Sequence, residues 1–167
     1  MAKRLPPQMR IRAARVDEAP HLSALCVRSK AYWGYDAEFM RLSLPSLQVD
    51  PAAIENGRVF VAAGVGDRPL GVATCALLDE RDVDLVHLFV EPRALGCGVG
   101  RALFAAALAW ARKHGRRRLL IASDPNAVGF YRRQGAADAG TVPSEAIPGR
   151  VLPLLACAVD RGGEDPG

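Results

Sequence analysis

Three glycines at alternate positions give this sequence its clearest chemical signal. Gly96, Gly98 and Gly100 lie in the stretch EPRALGCGVGRALF, between an apolar run that ends at Val90 and an amphipathic segment. Glycines between a strand and a helix let backbone amides approach a phosphate closely, and a helix N-terminus favours an anion. The stretch therefore predicts a phosphate-binding loop, with a glycine-rich packing turn as the alternative.

Two common nucleotide-binding loops do not fit this stretch. A P-loop requires G-x-x-x-x-G-K-[ST], and no such run occurs in the chain. A Rossmann loop requires G-x-G-x-x-G, but its third glycine would fall on Arg101 or Leu103, depending on the register. Asp124, an acidic residue after the next apolar run, is the best point in favour of a dinucleotide.

A second segment, SDPNAVGFYRRQGA, follows at residues 123–136. The glycine stretch resembles motif A of the GCN5-related N-acetyltransferases, the GNAT superfamily, and the second segment is similar to that family's N-x-x-A-x-x-F-Y-x-x-x-G-F pattern. The matching residues of the second segment are Asn126, Phe130, Tyr131 and Gly135. The chain departs from the family at Gly129, where Ala is usual, at Ala136, where an aromatic is usual, and at Leu95, where Arg or Gln is usual.

The resemblance implies acetyl-CoA as the acyl donor and co-substrate. Backbone groups at residues 88–90 would pair with the pantetheine arm as an added strand does, and Asn126 would hydrogen-bond the same arm. Amides of residues 95–101 would hold the pyrophosphate, and Arg93 could replace the side chain that Leu95 does not supply. Cys97 is interpreted as a loop residue without a catalytic role, and the alternative is a nucleophile in a ping-pong mechanism. The implied cofactor-binding residues are Leu88, Phe89, Val90, Leu95, Gly96, Cys97, Gly98, Val99, Gly100, Arg101, Asn126 and Phe130.

The resemblance also implies the catalytic groups. Tyr131 occupies the family's usual general-acid position, where a phenol can protonate the departing thiolate. Asp84 is the predicted general base, because in family members that acetylate histones a Glu stands at this place on the fourth strand. Strand alternation predicts that Asp84 shares a face with Val86 and Leu88, while His87 shares the opposite face. His87 and a relaying water are the alternative bases.

Aromatic residues between the first two helices indicate where an acceptor would bind. The stretch SKAYWGYDAEFM contains Trp33 and Tyr35, which could grip an amine by cation–π contact or pack in a helix-pair core. His87 is the third predicted acceptor-binding residue. In the segment 141–155, predicted to be a loop followed by the last strand, Glu145 would suit a cationic acceptor and Arg150 an anionic one, so both remain open.

The element order must bring these segments together. Apolar periodicity and turn residues predict β-α-α-β-β-β-α-β-α-β, with a further short strand considered after Gly135. This order predicts an α+β, mixed α/β fold of the GNAT acyltransferase type, with a central, mostly antiparallel sheet flanked by helices. One domain over residues 9–160 is expected, with flexible tails at 1–8 and 161–167.

Composition narrows the class of protein. The chain has 167 residues, a net charge of +4 and a pI of about 9.1, which favours an anionic ligand without predicting nucleic acid. The four cysteines show no metal-ligand spacing, and no run of apolar residues predicts a signal peptide or a membrane span. No metal is expected, a cytoplasmic location is predicted, and a homodimer is left open.

The predicted function is transfer of an acetyl group to a primary amine of a small molecule, by direct attack in a ternary complex. A protein N-terminus or lysine is the alternative acceptor. A non-catalytic acyl-CoA sensor and a dinucleotide-binding enzyme are the alternatives from other classes.

Overall fold

A seven-stranded sheet forms the centre of the computed structural model, which describes residues 8–159. The strands are β1 (Arg10–Ala13), β2 (Val59–Ala63), β3 (Pro69–Leu77), β4 (Asp82–Val90), β5 (Arg118–Ala122), β6 (Ala137–Pro143) and β7 (Val151–Ala158). Their order across the sheet is β1-β2-β3-β4-β5-β7-β6, and every neighbouring pair is antiparallel except β4 and β5. The predicted class, a mixed and mostly antiparallel sheet flanked by helices, is confirmed.

Helices cover both faces of the sheet and close two apolar cores. The helices are α1 (Ala19–Ala31), α2 (Ala37–Ser43), α3 (Pro51–Glu55), α4 (Val99–Lys113) and α5 (Val128–Arg133). On one face, α4 buries a stripe that includes Val99, Leu103 and Ala107, and on the other face α1 buries Leu22 and Leu25. Full burial of one such Val or Leu side chain stabilises the fold by about 1.5–3 kcal/mol, so the two cores fix both helices on the sheet.

The one parallel pair in the sheet is short. Residues 82–84 of β4 pair with residues 118–120 of β5, and beyond this point the two strands diverge. Arg118 donates two hydrogen bonds to the Asp82 carboxylate, at 2.9 and 2.8 Å, and closes the paired end. The remainder of β4 therefore has a strand neighbour on its β3 side only, which leaves its other edge open.

A β-bulge in β4 changes the predicted alternation of side chains. Thr74 of β3 pairs with His87 and Cys75 with Leu85, so that Val86 has no partner. One extra residue moves every following side chain to the opposite face. Val83 and Leu85 accordingly share the α4 core with Leu88 and Val90, while the other face carries Asp84 before the bulge and His87 and Phe89 after it. The predicted common face of Asp84, Val86 and Leu88 is therefore wrong.

Two elements differ from the sequence prediction. Helix α3 was not predicted, because five residues show no clear period; Asp50 caps it by accepting a hydrogen bond from the Ala52 amide at 2.9 Å. Strand β6 includes Thr141–Pro143, which the sequence had placed in a loop. Helix α2 begins as predicted, with Asp36 accepting from the Phe39 amide. The predicted tails lie outside the described residues, apart from Gln8.

Candidate active site

A cavity of about 550 Å³ opens where β4 and β5 diverge. Leu88, Phe89 and Val90 line it from β4, and Ile121 and Ala122 line it from β5. Because these strands are not paired here, the β4 backbone along the cavity lacks a strand partner on this side. The cavity can accept an extended ligand that pairs with β4 as an added strand does.

The glycine loop closes one end of this cavity. Gly96 and Gly98 have φ angles of +76° and +80°, a left-handed conformation that glycine adopts at little cost. Gly98 caps α4 without a side chain, so the first turn of the helix presents its amides unobstructed. Gly100 lies so close to Phe130 that an added Cβ atom would stand 3.2 Å from the ring. The loop thus offers backbone donors and a helix N-terminus to an anion.

Two arginines also line the cavity. Arg101 and Arg133 are exposed, line the cavity, and form no ion pair with another described residue. The predicted replacement for the missing Arg or Gln, Arg93, is exposed and is not part of the cavity wall. Cys97 does not line the wall either, and its thiol lies 3.9 Å from the Leu95 carbonyl oxygen.

Tyr131 lines the cavity from α5 and is buried among aromatic rings. Its ring centroid lies 5.1 Å from that of Phe130 and 5.9 Å from that of Phe104. Burial, and to a smaller degree the negative charge of Asp124, raise the pKa of Tyr131. The phenol therefore keeps its proton near neutral pH and can donate it to a group in the cavity.

Asp84 lies at the point where β4 and β5 separate. Burial raises the pKa of Asp84, and the negative charge of Glu145 in the β6–β7 loop raises it further by a smaller amount. Its chain neighbours Leu85 and Val86 line the cavity, whereas Asp84 is not itself in the cavity wall. Its carboxylate is thus a base of raised affinity for protons, close to the cavity by chain position.

His87 does not line the cavity, in contrast to its predicted role in acceptor binding. Its side chain is 4% exposed, with Nδ1 3.0 Å from the Thr74 hydroxyl and Nε2 2.8 Å from the Ser46 carbonyl oxygen. Since a carbonyl only accepts, Nε2 carries the proton and Nδ1 accepts from Thr74. Burial lowers the pKa of His87, so the ring is neutral and both nitrogens are engaged. The ring joins the sheet to the turn at residues 44–47.

Five polar residues form a network around one carboxylate, named here the Asp124 cluster. Its members are Lys30, Tyr35, Asp124, Asn126 and Arg150. Lys30 Nζ and the Tyr35 hydroxyl donate to one oxygen of Asp124 at 2.6 and 2.7 Å, and Asn126 donates to the other. Arg150 donates to the Tyr35 hydroxyl at 3.1 Å. Burial opposes ionisation of Asp124, but these hydrogen bonds outweigh it and lower its pKa.

The predicted aromatic acceptor residues divide between two positions. Trp33 is exposed and lines the cavity. Tyr35 is not in the wall, because its ring stacks on Phe39 at 3.9 Å and its hydroxyl is held in the Asp124 cluster. Asn126 lines the cavity, and its amide oxygen has no partner among the described residues, which leaves it free to accept from a ligand.

Comparison with known proteins identifies the family and the fold. The model of the acetyltransferase (GNAT) family matches residues 26–136. The chain belongs to the GNAT family. The match includes the glycine loop, the open edge of β4 and the Tyr131 helix, so the resemblance seen in the sequence is confirmed. The predicted class, an acetyl-CoA-dependent N-acyltransferase, is that of this family.

Individual relatives agree with the assignment to this family. An uncharacterized N-acetyltransferase of Methanocaldococcus jannaschii is 32% identical over 85 residues, which are 46% of this GNAT chain and 38% of that protein. A GCN5-related N-acetyltransferase from Rhodopseudomonas palustris has a TM-score of 0.73 at 21% identity, over 93% of this chain and 99% of its own. The PaiA N-acetyltransferase from Thermoplasma acidophilum, solved with coenzyme A, has a TM-score of 0.71 at 14% identity, over 90% and 99% of the two chains.

Two features are absent from the part of this GNAT chain that the structure describes. Within residues 8–159, no three His, Cys, Asp or Glu side chains are grouped so that they could hold a metal ion. Over the same residues, no helix has the length and apolar character needed to cross a membrane.

Sequence analysis missed the partners of Asp124 and one of the loop arginines. Asp124 was predicted as a helix cap, and it does accept from the Asn126 amide, but its bonds to Lys30 and Tyr35 join residues 94 and 89 positions apart. No local pattern signals such a contact. Arg133 lies in the recognised second segment, and its place in the cavity wall depends on how α5 packs in the fold.

Proposed function

We propose that this chain transfers an acetyl group from acetyl-CoA to a primary amine of a small molecule, by direct attack in a ternary complex. The observation that carries this proposal is the cavity between the diverging strands, which joins an anion-binding loop, an open strand edge and a buried phenol. Each of these features suits one part of an acyl-CoA.

The glycine loop and the open edge of β4 suit two parts of the donor, its pyrophosphate and its pantetheine arm. Backbone amides of residues 95–101 would hold the pyrophosphate with support from Arg101 and Arg133, apart from those of Leu95 and Cys97, which already donate to the carbonyls of Pro92 and Ala94. The open edge of β4 at residues 88–90 would pair with the amides of the pantetheine arm, and the Asn126 amide oxygen would accept from the same arm. The similar Thermoplasma fold was solved with coenzyme A, which supports an acyl-CoA as the donor.

Two residues would move protons during transfer. As the amine nitrogen bonds to the acetyl carbon and the carbon–sulfur bond breaks, Tyr131 would donate its proton to the departing sulfur. The attacking nitrogen would lose a proton to Asp84, directly or through water. Burial suits both roles, since it raises the pKa of the phenol and of the carboxyl group.

A ligand screen followed by an assay tests this proposal. Thermal shifts are measured with acetyl-CoA, longer acyl-CoAs and NAD, and release of free CoA is then followed with a panel of amines, lysine peptides and free N-terminal peptides. Stabilisation by acetyl-CoA and CoA release with small amines are expected. Stabilisation by NAD alone would reject the donor, and binding without turnover would indicate a sensor. Turnover of peptides alone would indicate a protein acceptor.

A further inference from the structure

The Asp124 cluster contains more positive than negative charge. Lys30 Nζ lies 2.6 Å from Asp124, and Arg150 lies 3.9 Å from the same carboxylate oxygen. Among the described residues, no other carboxylate is within 4.0 Å of either cation. The side chains of Lys30, Asp124 and Arg150 are only 15%, 12% and 20% exposed. Because unbalanced charge is costly away from water, this site favours the arrival of an anion.

Lys30 is the member of the cluster that can meet a ligand directly. It lines the cavity together with Ser29 and Trp33 from the end of α1 and the turn after it. An ammonium group has three N–H donors, and the one hydrogen bond found for Lys30 goes to Asp124. Asp124 keeps further donors in Tyr35 and Asn126, so Lys30 can share its charge with a ligand without leaving Asp124 unpaired.

Arg150 lies next to Asp124 but is not part of the cavity wall. Its guanidinium carbon lies 4.8 Å from the Phe39 ring centroid and 5.3 Å from that of Tyr35, and it donates to the Tyr35 hydroxyl. These contacts fix a second positive charge next to Asp124. Arg150 therefore compensates Asp124 when Lys30 turns part of its charge toward the cavity.

We propose that Lys30, supported by Arg150, binds a carboxylate of the acceptor, so that the acceptor is a small amino acid-like molecule that carries both an amine and a carboxylate. This inference rests on the proposed acetyl transfer. The two opposite charges of such an acceptor would have separate partners, with Lys30 at the carboxylate and Asp84, the proposed base, toward the amine. The cluster thus selects among amines by their anionic group.

Paired acceptors test the inference. L-amino acids are each compared with the corresponding amino acid amide, which keeps the amine and side chain but lacks the carboxylate, and release of free CoA gives kcat/KM. The wild-type protein is expected to prefer acids over amides by roughly 10- to 100-fold, the scale of a charge-assisted hydrogen bond. Lys30→Gln should abolish this preference by raising the KM for acids, with the KM for acetyl-CoA unchanged.

Three further variants separate binding from folding. Arg150→Gln should weaken the preference, and Arg150→Lys, which keeps the charge, should restore part of it. Lys113→Gln, at an exposed lysine that ends α4, is the matched control and should leave the preference intact. A variant that misfolds would lose activity toward acids and amides alike, whereas the ratio between them reports on the carboxylate alone.

The possible results are distinct for the two proposals. Equal rates for acids and amides in the wild-type protein, or an unchanged preference in folded Lys30→Gln, would overturn the carboxylate site and leave acetyl transfer standing. Stabilisation by acetyl-CoA without turnover of any acid, amide or simple amine would reject both.

Discussion

At Tyr131, burial preserves the proton that catalysis would use. Because the pKa of the phenol is raised, its hydroxyl remains protonated at every pH at which amines are normally acylated. A free thiol has a pKa of about 8.5, so the sulfur can depart without full protonation. In the proposed role, Tyr131 would therefore assist the reaction without being indispensable.

We expect Tyr131→Phe to lower kcat by roughly 10- to 10³-fold, the range of general acid catalysis. Acetyl-CoA affinity should change little, because the ring and its packing against Phe104 and Phe130 are kept. Single-turnover kinetics and a binding titration measure the two effects. Tyr32→Phe, at an exposed tyrosine, is the control. A normal single-turnover rate in Tyr131→Phe would show that Tyr131 only packs.

For Asp84 we predict an effect on the pH dependence of activity. Only the ionised carboxylate can accept a proton, and burial together with Glu145 raises its pKa, so activity should decline on the acidic side of the profile. Glu145→Gln removes the repulsion, lowers the pKa of Asp84 and should move this acidic limb of kcat/KM to lower pH. Glu55→Gln, at an exposed carboxylate at the end of α3, should not move it.

Removal of the base itself completes the test. Asp84→Asn should reduce turnover by roughly 10²-fold, with partial recovery at higher pH where more amine is neutral. An unaltered rate in Asp84→Asn would transfer the role to water, because both nitrogens of His87 are already engaged.

Among the elements, the loop before α4 has a conformation that limits which substitutions are informative. Gly98 has a φ of +80°, so a branched residue there would strain the fold as well as block a ligand. Asn and Asp tolerate this conformation and differ in charge alone. We expect Gly98→Asp to bind acetyl-CoA at least about tenfold more weakly than Gly98→Asn, since like charges a few Å apart repel by about 1–4 kcal/mol.

Titration of both Gly98 variants with acetyl-CoA, together with urea unfolding, measures this difference. Gly98→Asp should be at least as stable as Gly98→Asn, because position 98 is the N-cap of α4 and a helix N-terminus favours a carboxylate, so weaker binding cannot come from unfolding. Equal affinities would place the pyrophosphate away from this loop.

The bulged strand gives a prediction about stability. His87 is neutral when folded, and its pKa is lowered by burial, whereas a histidine in the unfolded chain has a pKa of about 6.5. The unfolded state therefore takes up a proton as the pH falls below about 6.5, and the fold loses stability there. His87→Leu should destabilise the protein by about 1–3 kcal/mol at pH 7.5, because Thr74 and Ser46 lose their partner.

Urea unfolding at pH 7.5 and pH 5.5 checks this assignment. The difference in the free energy of unfolding between wild type and His87→Leu should be smaller at pH 5.5, because the wild-type histidine then contributes less to stability. His21→Leu, at an exposed histidine on α1, should show no such change. A constant difference at both pH values would contradict the buried, neutral state of His87.

Local patterns predicted most elements of this fold, and long-range geometry accounts for what they missed. The residues of the glycine loop and of the Asn126–Tyr131 segment are each contiguous in sequence, so their types and spacing were sufficient to predict the family. The sequence carries no local signal for the bulge at Val86, because only the register of β4 against β3 shows the extra residue. The face of Asp84 was predicted wrongly as a result. The Asp124 cluster depends on contacts between distant segments and was not foreseen.

For the molecule as a whole, a bound donor should add to stability. If acetyl-CoA pairs with the open edge of β4, it binds the folded chain and not the unfolded one. At a concentration 100 times its Kd, it should raise the free energy of unfolding by about 2.7 kcal/mol. Urea unfolding with and without acetyl-CoA measures this change, and Gly98→Asp should require more ligand to reach it. An unfolding curve that does not respond to acetyl-CoA would contradict the proposed pairing.

If acetyl-CoA binds where β4 and β5 diverge, the lifetime of the protein would depend on the supply of its substrate. A protease acts on chains that have opened, and a donor that completes the sheet reduces the fraction of open chains in proportion to its own concentration. A cell rich in acetyl-CoA would therefore hold more of this enzyme from the same rate of synthesis, and starvation would shorten the protein's lifetime before any change in gene expression.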